Sequence, residues 1–154
     1  MSNLVAIANA CAVECERQKV GMRELGYLLE AYEWLAEKAE HLTVTVEVFE
    51  VLGSFVEPGK NRAGFRKVPV TFANGGSSAN ASMIPDLLEN VVEAIKDFHK
   101  IPPTGPTVEM AHVITKEFLW IHPFVDGNGR CGWLLLNYLL GTLDDPVPLP
   151  DFNW

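Results

Sequence analysis

Residues 127–143 limit what this chain can fold into more than any other segment, because they favour a helix that is apolar on nearly every side. The large apolar side chains of this segment are Trp133, Leu134, Leu135, Leu136, Tyr138, Leu139 and Leu140. A helix of this kind must be covered by other elements on all of its faces. We therefore expect it to lie in the middle of the core, where it is a rigid support for any site at its start.

Five other segments can supply that cover, because their apolar residues recur at three- and four-residue steps. Pro58 and Gly59 end the third of these helices, and Pro-rich and Gly-rich breaks separate the later ones. Thr43 or Thr45 is the expected N-cap of the third helix, and Ser82 is that of the fourth. The predicted helices cover residues 3–18, 22–39, about 45–56, about 83–100 and 107–121.

One short segment has a different periodicity. Val68, Val70 and Phe72 alternate with smaller or polar residues, which is typical of a strand. Residues 61–64 ahead of it are predicted to be a turn or the first arm of a hairpin, and residues 74–80 are predicted to be a mobile loop. The sequence thus predicts a mostly helical domain with one small β element.

Composition narrows the class of protein. The 154 residues suit one domain with a real core, and 48% apolar with 21% charged residues is an ordinary globular balance. The net charge of -8 disfavours nucleic acid as a partner, because binding a phosphate backbone needs clustered cations. We expect no membrane span, no secretory signal and three reduced cysteines, hence a cytoplasmic protein.

The residues that can carry chemistry lie just before the central helix, in the run His-Pro-Phe-Val-Asp-Gly-Asn-Gly-Arg at positions 122–130. Gly127 and Gly129 leave the backbone bare where the helix starts, and its free N–H groups and dipole favour a phosphate. Asn128 can donate its amide to a phosphate oxygen, and Arg130 can donate to another. The alternative for Arg130 is a structural ion pair.

Two further members of the run complete a candidate active site. Asp126 is a hard oxygen ligand suited to Mg²⁺ that bridges two phosphates, although a helix cap is an alternative for it. His122 lies where it can take a proton from an incoming hydroxyl, unless it is only a satisfied loop histidine. The run therefore combines a phosphate site, a metal ligand and a base.

This run resembles the signature of the Fic family, His-x-Phe-x-Asp/Glu-Gly-Asn-Gly-Arg, without a mismatch. The resemblance implies an all-α, Fic-type helical bundle with a small β-hairpin flap over the active site. It covers residues 43–143 as a catalytic core, with residues 1–42 as N-terminal helices and residues 144–154 as an irregular Pro-rich tail. The segment that begins near Gly64 and ends near Phe72 looks like the flap.

The resemblance also implies a reaction. His122 deprotonates a Ser, Thr or Tyr hydroxyl of a target protein, which attacks the α-phosphorus of ATP, and pyrophosphate leaves. Asp126 holds Mg²⁺, the residues from Gly127 to Arg130 bind the phosphates, and Phe124, counted with the nucleotide-binding residues, anchors the loop in the core. The flap docks the target by main-chain pairing. For Arg66 in the flap, three roles stay open: a phosphate contact, a target contact and plain surface charge.

Two departures from the family pattern matter. The second Arg that often follows three residues after the first is replaced by Trp133, which can stack on a base or fill the core. No Ser/Thr-x-x-x-Glu-Gly/Asn inhibitory motif is present, so we expect no restraint by that glutamate, whereas a separate inhibitor or antitoxin protein is possible. The alternatives are a phosphotransferase, a transferase of another nucleoside monophosphate, and a non-catalytic nucleotide-binding regulator.

Overall fold

The computed structural model describes residues 4–72, 75–102 and 104–152, and this part of the chain contains six α-helices and one 3-10 turn. Predictions that fall on residues 1–3, 73–74, 103 and 153–154 lie outside the described residues. The elements are α1 (Leu4–Arg17), α2 (Met22–Lys38), α3 (Val46–Val56), the 3-10 turn (Ala81–Met83), α4 (Ile84–Phe98), α5 (Thr107–Ile121) and α6 (Asn128–Leu140). None of these helices is long and apolar enough to span a bilayer.

Helix α6 is the centre of the bundle, as its apolar sequence predicts. It contacts α5, α3 and α2, and ten of its residues, from Asn128 to Leu139, are buried. Trp133 is fully buried, and its ring lies 5.8 Å from that of Tyr32. Of the two alternatives for Trp133, stacking on a base or filling the core, the structure shows the core. Helices α1 and α2 contribute Cys11, Leu28 and other residues to the same hydrophobic core. The boundary between residues 42 and 43 stays a prediction.

The described residues contain no β-strand. An isolated antiparallel bridge joins Thr71 and Ser77, with hydrogen bonds from Phe72 N to Gly76 O at 2.7 Å and from Ser78 N to Val70 O at 3.3 Å. The predicted hairpin flap is thus reduced to one bridge, and residues 61–64 form turns instead of an arm. Alternating residues predict an extended segment, but a strand also needs a partner with successive hydrogen bonds.

The helix starts differ from the predicted caps. Thr45 is the N-cap of α3, but its side chain makes no capping hydrogen bond. The prediction that Ser82 caps α4 is wrong. Asn80 instead accepts from Ser82 N at 3.0 Å and caps the 3-10 turn that leads into α4. Both residue types are good caps, and the backbone geometry decides which of them is used.

Candidate active site

His122 lies at the junction of α5 and the loop that precedes α6. It is the C-cap of α5 in the left-handed region, with φ 52°, and its Nδ1 lies 3.2 Å from the carbonyl oxygen of Leu119. An Nδ1–H that donates to this carbonyl leaves Nε2 with a lone pair. No described residue forms a hydrogen bond with Nε2. Phe72 contacts the ring edge-on, at 5.2 Å between centroids.

The electrostatic setting of His122 favours a neutral ring. Burial lowers the pKa of His122 below its ordinary value of 6.5, and the nearby Arg66 cation acts in the same direction. The hydrogen bond to Leu119 and the charge of Asp126 oppose this shift without cancelling it. A neutral imidazole with a free Nε2 can accept a proton at neutral pH.

The loop between His122 and α6 is closed by Asn128 and Phe124. The side-chain amide of Asn128 donates to Phe124 O and accepts from Phe124 N, both at 2.9 Å. Asn128 is buried and both ends of its amide are bonded to Phe124, so its role as a phosphate donor stays a prediction. Phe124 is also fully buried against Gly53 and Phe65, so it anchors the loop in the core, and its assignment to the nucleotide-binding residues stays a prediction.

The start of α6 has the bare backbone that the glycines predict. Gly127 has φ 83°, and a Cβ there would lie 2.7 Å from Val56 Cγ2, so glycine is required. Helix α6 begins at Asn128, and no described residue accepts from the first-turn N–H groups of residues 128–130. A Cβ at Gly129 would lie 2.7 Å from Gln18 Oε1 on the loop after α1. The phosphate-binding role of Gly127 and Gly129 stays a prediction.

Arg130 forms a buried ion pair instead of facing an open phosphate site. Its side chain is 1% exposed, and NH2 lies 3.0 Å from Glu57 Oε1 and 3.5 Å from Asp126 Oδ1. NH1 donates to Val56 O at 3.2 Å. The structural ion pair, the alternative for Arg130, is thus present, whereas the phosphate contact stays a prediction. Its Nε is buried and has no partner among the described residues.

Asp126 is the candidate metal ligand. Both of its carboxylate oxygens already have partners in the protein. Lys60 Nζ donates to Oδ2 at 2.6 Å, and Gly127 N donates to Oδ1 at 2.7 Å. Burial alone would raise the pKa of Asp126, but these two hydrogen bonds, together with the positive charges of Lys60 and Arg130, outweigh it and hold the pKa below its ordinary value. The carboxylate is 37% exposed and is ionised at neutral pH. Its bond to Gly127 N reaches only the N-cap residue, so Asp126 does not cap the N–H groups inside α6.

Arg66 is a structural residue. It is 2% exposed, and its guanidinium donates to the carbonyl oxygens of His122 at 2.6 Å, Ala79 at 2.6 Å and Ile121 at 3.1 Å. Further bonds reach Val68 O and Ser78 Oγ. None of the three roles left open for Arg66 includes these bonds, and all three of its nitrogens already serve the protein, so its assignment to the nucleotide-binding residues stays a prediction. Its function is to fix the backbone of His122 against residues 68–79.

Three residues that support the site were not singled out from the sequence. Lys60 pairs with Asp126, and Glu57 pairs with Arg130. Asn61 donates to Gly53 O at 2.9 Å and to Asp126 O at 2.8 Å. Apart from the bond of Asn61 to Gly53 O, these contacts cross more than sixty positions of the sequence, so no local pattern predicts them. The only available signal is polar residues directly after the apolar helix α3.

A cavity of about 230 Å³ lies beside the imidazole. Its walls are Phe72, Leu119, His122, Gly129 and residues 149–152. The structure thus brings His122 and Gly129 together at one cavity, whereas Arg66, Phe124, Asn128 and Arg130 are buried behind it.

The fold and the site define a helical domain with a histidine beside the bare start of its central helix. The sequence model of the Fic/DOC family matches residues 38–140, which is more than half of the chain. The chain therefore belongs to the Fic/DOC family. This membership suggests a transferase-type function.

Individual relatives agree with this assignment. A Fido domain-containing protein of Dictyostelium discoideum is 34% identical over 71 residues, which cover 44% of this chain and 50% of that protein. A crystal structure of a Fic domain containing signaling protein from Bacteroides thetaiotaomicron has a TM-score of 0.65 at 22% identity, over 76% of this chain and 47% of that one. At this identity the structure supports the fold alone. The chain spans about half the length of each relative.

Proposed function

We propose that the protein is an adenylyltransferase that moves AMP from ATP to a Ser, Thr or Tyr hydroxyl of a target protein and releases pyrophosphate. One observation carries the proposal: His122 and the first turn of α6 lie at the same cavity. His122 is neutral and its Nε2 has no described partner, and the N–H groups of that first turn have no described acceptor. The imidazole can act as a base, and the helix start can hold the negative charge of a polyphosphate.

The reaction needs one proton transfer and one exchange of bonds at phosphorus. Nε2 of His122 takes the proton of the target hydroxyl while its oxygen bonds to the α-phosphorus. The bond from the α-phosphorus to the bridging oxygen breaks, and that oxygen leaves with pyrophosphate. The proton on Nε2 is then lost to water, which restores the neutral imidazole. General-base catalysis of this kind contributes about 10²–10⁴-fold.

The phosphate contacts are assigned to the backbone and not to the motif side chains. Asn128 and Arg130 are occupied by the protein, whereas the N–H groups of the first turn of α6 have no described acceptor. Backbone N–H groups at a helix start bind phosphate together with the helix dipole. The unpartnered Nε of Arg130 leaves one buried donor that a phosphate oxygen could satisfy after a small shift.

Asp126 fits a magnesium ion that arrives with the nucleotide. No group of three His, Cys, Asp or Glu side chains suited to a metal exists among the described residues. Mg²⁺ is commonly held by one or two carboxylates with substrate phosphates and water, so a single ionised Asp126 is sufficient. Lys60 would have to leave Oδ2. The ion, when bound, would neutralise phosphate charge.

The target is proposed to dock along the segment that begins near Gly64 and ends near Phe72. Val68 is 55% exposed, and one antiparallel bridge joins the segment to residue 77. Arg66 and Ser78 already use the carbonyl oxygens of Val68 and Val70, so a peptide would form main-chain hydrogen bonds with the other backbone groups of the segment. Phe72 at its end contacts the ring of His122, which brings a docked hydroxyl towards the base.

Labelled ATP tests the proposal. The protein is incubated with Mg²⁺, cell lysate and ATP labelled at either the α- or the γ-phosphate. Label from the α-phosphate alone supports AMP transfer, label from the γ-phosphate alone indicates a phosphotransferase, and no label indicates a binder. His122→Ala should abolish labelling, whereas His41→Ala, a matched change at an exposed histidine, should not. Labelling that survives His122→Ala contradicts the assigned base.

A further inference from the structure

The segment after α6 is held against that helix by buried side chains. We call residues 146–152 the strap. Trp133 Nε1 donates to Val147 O at 2.8 Å, and Asn137 Nδ2 donates to the same oxygen at 3.0 Å. Asn137 Oδ1 accepts from Val147 N at 2.8 Å. Trp133 and Asn137 are both buried, so these hydrogen bonds fix the base of the strap firmly.

The outer part of the strap is held by weaker contacts. Arg17 NH1, at the end of α1, donates to Leu149 O at 3.1 Å in an exposed position. The ring of Phe152 lies 6.2 Å from that of His112 on α5. Leu149 and Phe152 are only partly buried on the core. The strap therefore has a fixed base and a more easily released outer part.

That outer part covers the candidate active site. Residues 149–152 form one wall of the cavity that holds His122 and Gly129. The volume of about 230 Å³ is below the about 300–1,000 Å³ typical of ligand sites. Asp151 adds a negative charge to a wall that a triphosphate would face. Gln18, next to Arg17, lies against the backbone of Gly129 and narrows the approach further.

We propose that the strap is an autoinhibitory element that nucleotide must displace from His122 and Gly129. This inference rests on the proposed function. In the closed state the strap excludes the triphosphate by volume and by charge. In the open state Leu149 and Phe152 leave the cavity, while Trp133 and Asn137 keep Val147 in place as the hinge. Trp133 thus holds the strap at the position where relatives often carry a second Arg.

Two sets of variants release the outer strap without a change in the motif. Arg17→Gln removes the hydrogen bond to Leu149 O together with the ion pair to Glu14, and its matched control is Glu14→Gln, which removes the ion pair alone. The double variant Leu149→Ala/Phe152→Ala removes the apolar contacts. We expect Kd for a non-hydrolysable ATP analogue with Mg²⁺ to fall about threefold to tenfold, since the open population rises. Calorimetry measures Kd, and thermal unfolding checks that each variant is folded.

Hydrogen exchange of the full chain gives a second readout. We expect the strap amides from Leu149 onward to exchange faster when the analogue binds, while Val147 N–H stays protected. An unchanged or weaker Kd in both sets of variants, or slower exchange of the strap on binding, overturns the inference. If the wild-type protein transfers the α-label but the strap variants bind the ATP analogue with an unchanged Kd, only the strap proposal fails. If neither the wild type nor any variant binds the analogue, the proposed function fails as well.

Discussion

Asn128 and Phe124 are joined by two hydrogen bonds of 2.9 Å, from Phe124 N to Asn128 Oδ1 and from Asn128 Nδ2 to Phe124 O. One buried amide thus satisfies both backbone groups of a residue in an irregular loop. The pairing closes residues 124–128 into a tight ring and sets the direction in which α6 starts. The Asn128 amide thus has a structural role in this loop.

Replacement of Asn128 should therefore affect stability. Asn128→Ala leaves the N–H and C=O of Phe124 buried without partners, and we expect a loss of about 1–3 kcal/mol in the free energy of unfolding. Urea unfolding measures this loss. Asn90→Ala, at an exposed position of α4, is the matched control and should change little. Equal losses in the two variants would contradict the structural role of Asn128.

The buried pair of Arg130 and Glu57 should behave as a unit. Glu57→Gln removes the nearer carboxylate of the buried guanidinium and leaves only Asp126 at 3.5 Å, so we expect a loss in unfolding free energy that approaches the about 3–5 kcal/mol typical of a broken buried pair. Glu57→Leu combined with Arg130→Met replaces both charges by apolar groups and should lose less than the single change. A double variant that is less stable than Glu57→Gln is the result that contradicts a closed pair.

The ionisation of His122 sets the pH profile of labelling. Because burial lowers its pKa below 6.5, the ring stays neutral at neutral pH. We expect the labelling rate to fall on acidification at a lower pH than an ordinary histidine of pKa 6.5 would give. NMR of the ring measures the pKa of His122 directly. A His122 pKa above 6.5 would contradict the burial argument.

The same shift has a consequence for stability. Since the unfolded chain protonates at a higher pH than the folded His122, the unfolded state binds more protons between the two pKa values. The contribution of His122 is thus fully present above 6.5 and is lost as the pH falls through the folded pKa. Urea titrations of wild type and His122→Gln across this window measure it, and parallel curves for the two proteins would exclude the effect.

Lys60 should compete with magnesium for Asp126. Lys60→Ala removes the 2.6 Å contact, so we expect the pKa of Asp126 to rise towards its ordinary value and the half-maximal Mg²⁺ concentration for labelling to fall. Lys100→Ala, at the end of α4, removes an exposed ion pair far from the motif and serves as the control. A Mg²⁺ requirement that rises in Lys60→Ala would show instead that Lys60 assists the nucleotide.

Local sequence patterns predict most of the fold. The spacing of apolar residues predicts helices over residues 22–39 and 107–121, because each pattern depends only on that helix's own apolar face. In the structure, α2 and α5 begin and end close to these predicted limits. The all-apolar segment correctly predicts the central helix α6. The hairpin differs because its strands need a partner segment. Val68 O, which a partner strand could use, instead accepts from Arg66.

The side chains of the site are less predictable for the same physical reason. Arg130, Asn128 and Arg66 are residue types that bind phosphate, and their types alone favour that function. Their true partners are Glu57, the backbone of Phe124 and the carbonyl of His122. Such contacts depend on burial and on positions distant in sequence. The sequence predicts the place of the site, while packing decides which residues face it.

The guanidinium of Arg66 couples the backbone of His122, the proposed base, to the segment on which the target is proposed to dock. It holds the carbonyl of His122 with one nitrogen and the carbonyls of Val68 and Ala79 with the others. A protein that pulls or presses residues 68–79 must therefore tilt the backbone that carries the imidazole. If a target docks on this segment as proposed, its recognition and the alignment of the proton acceptor become a single movement, and a poorly seated target would leave the proposed base misdirected.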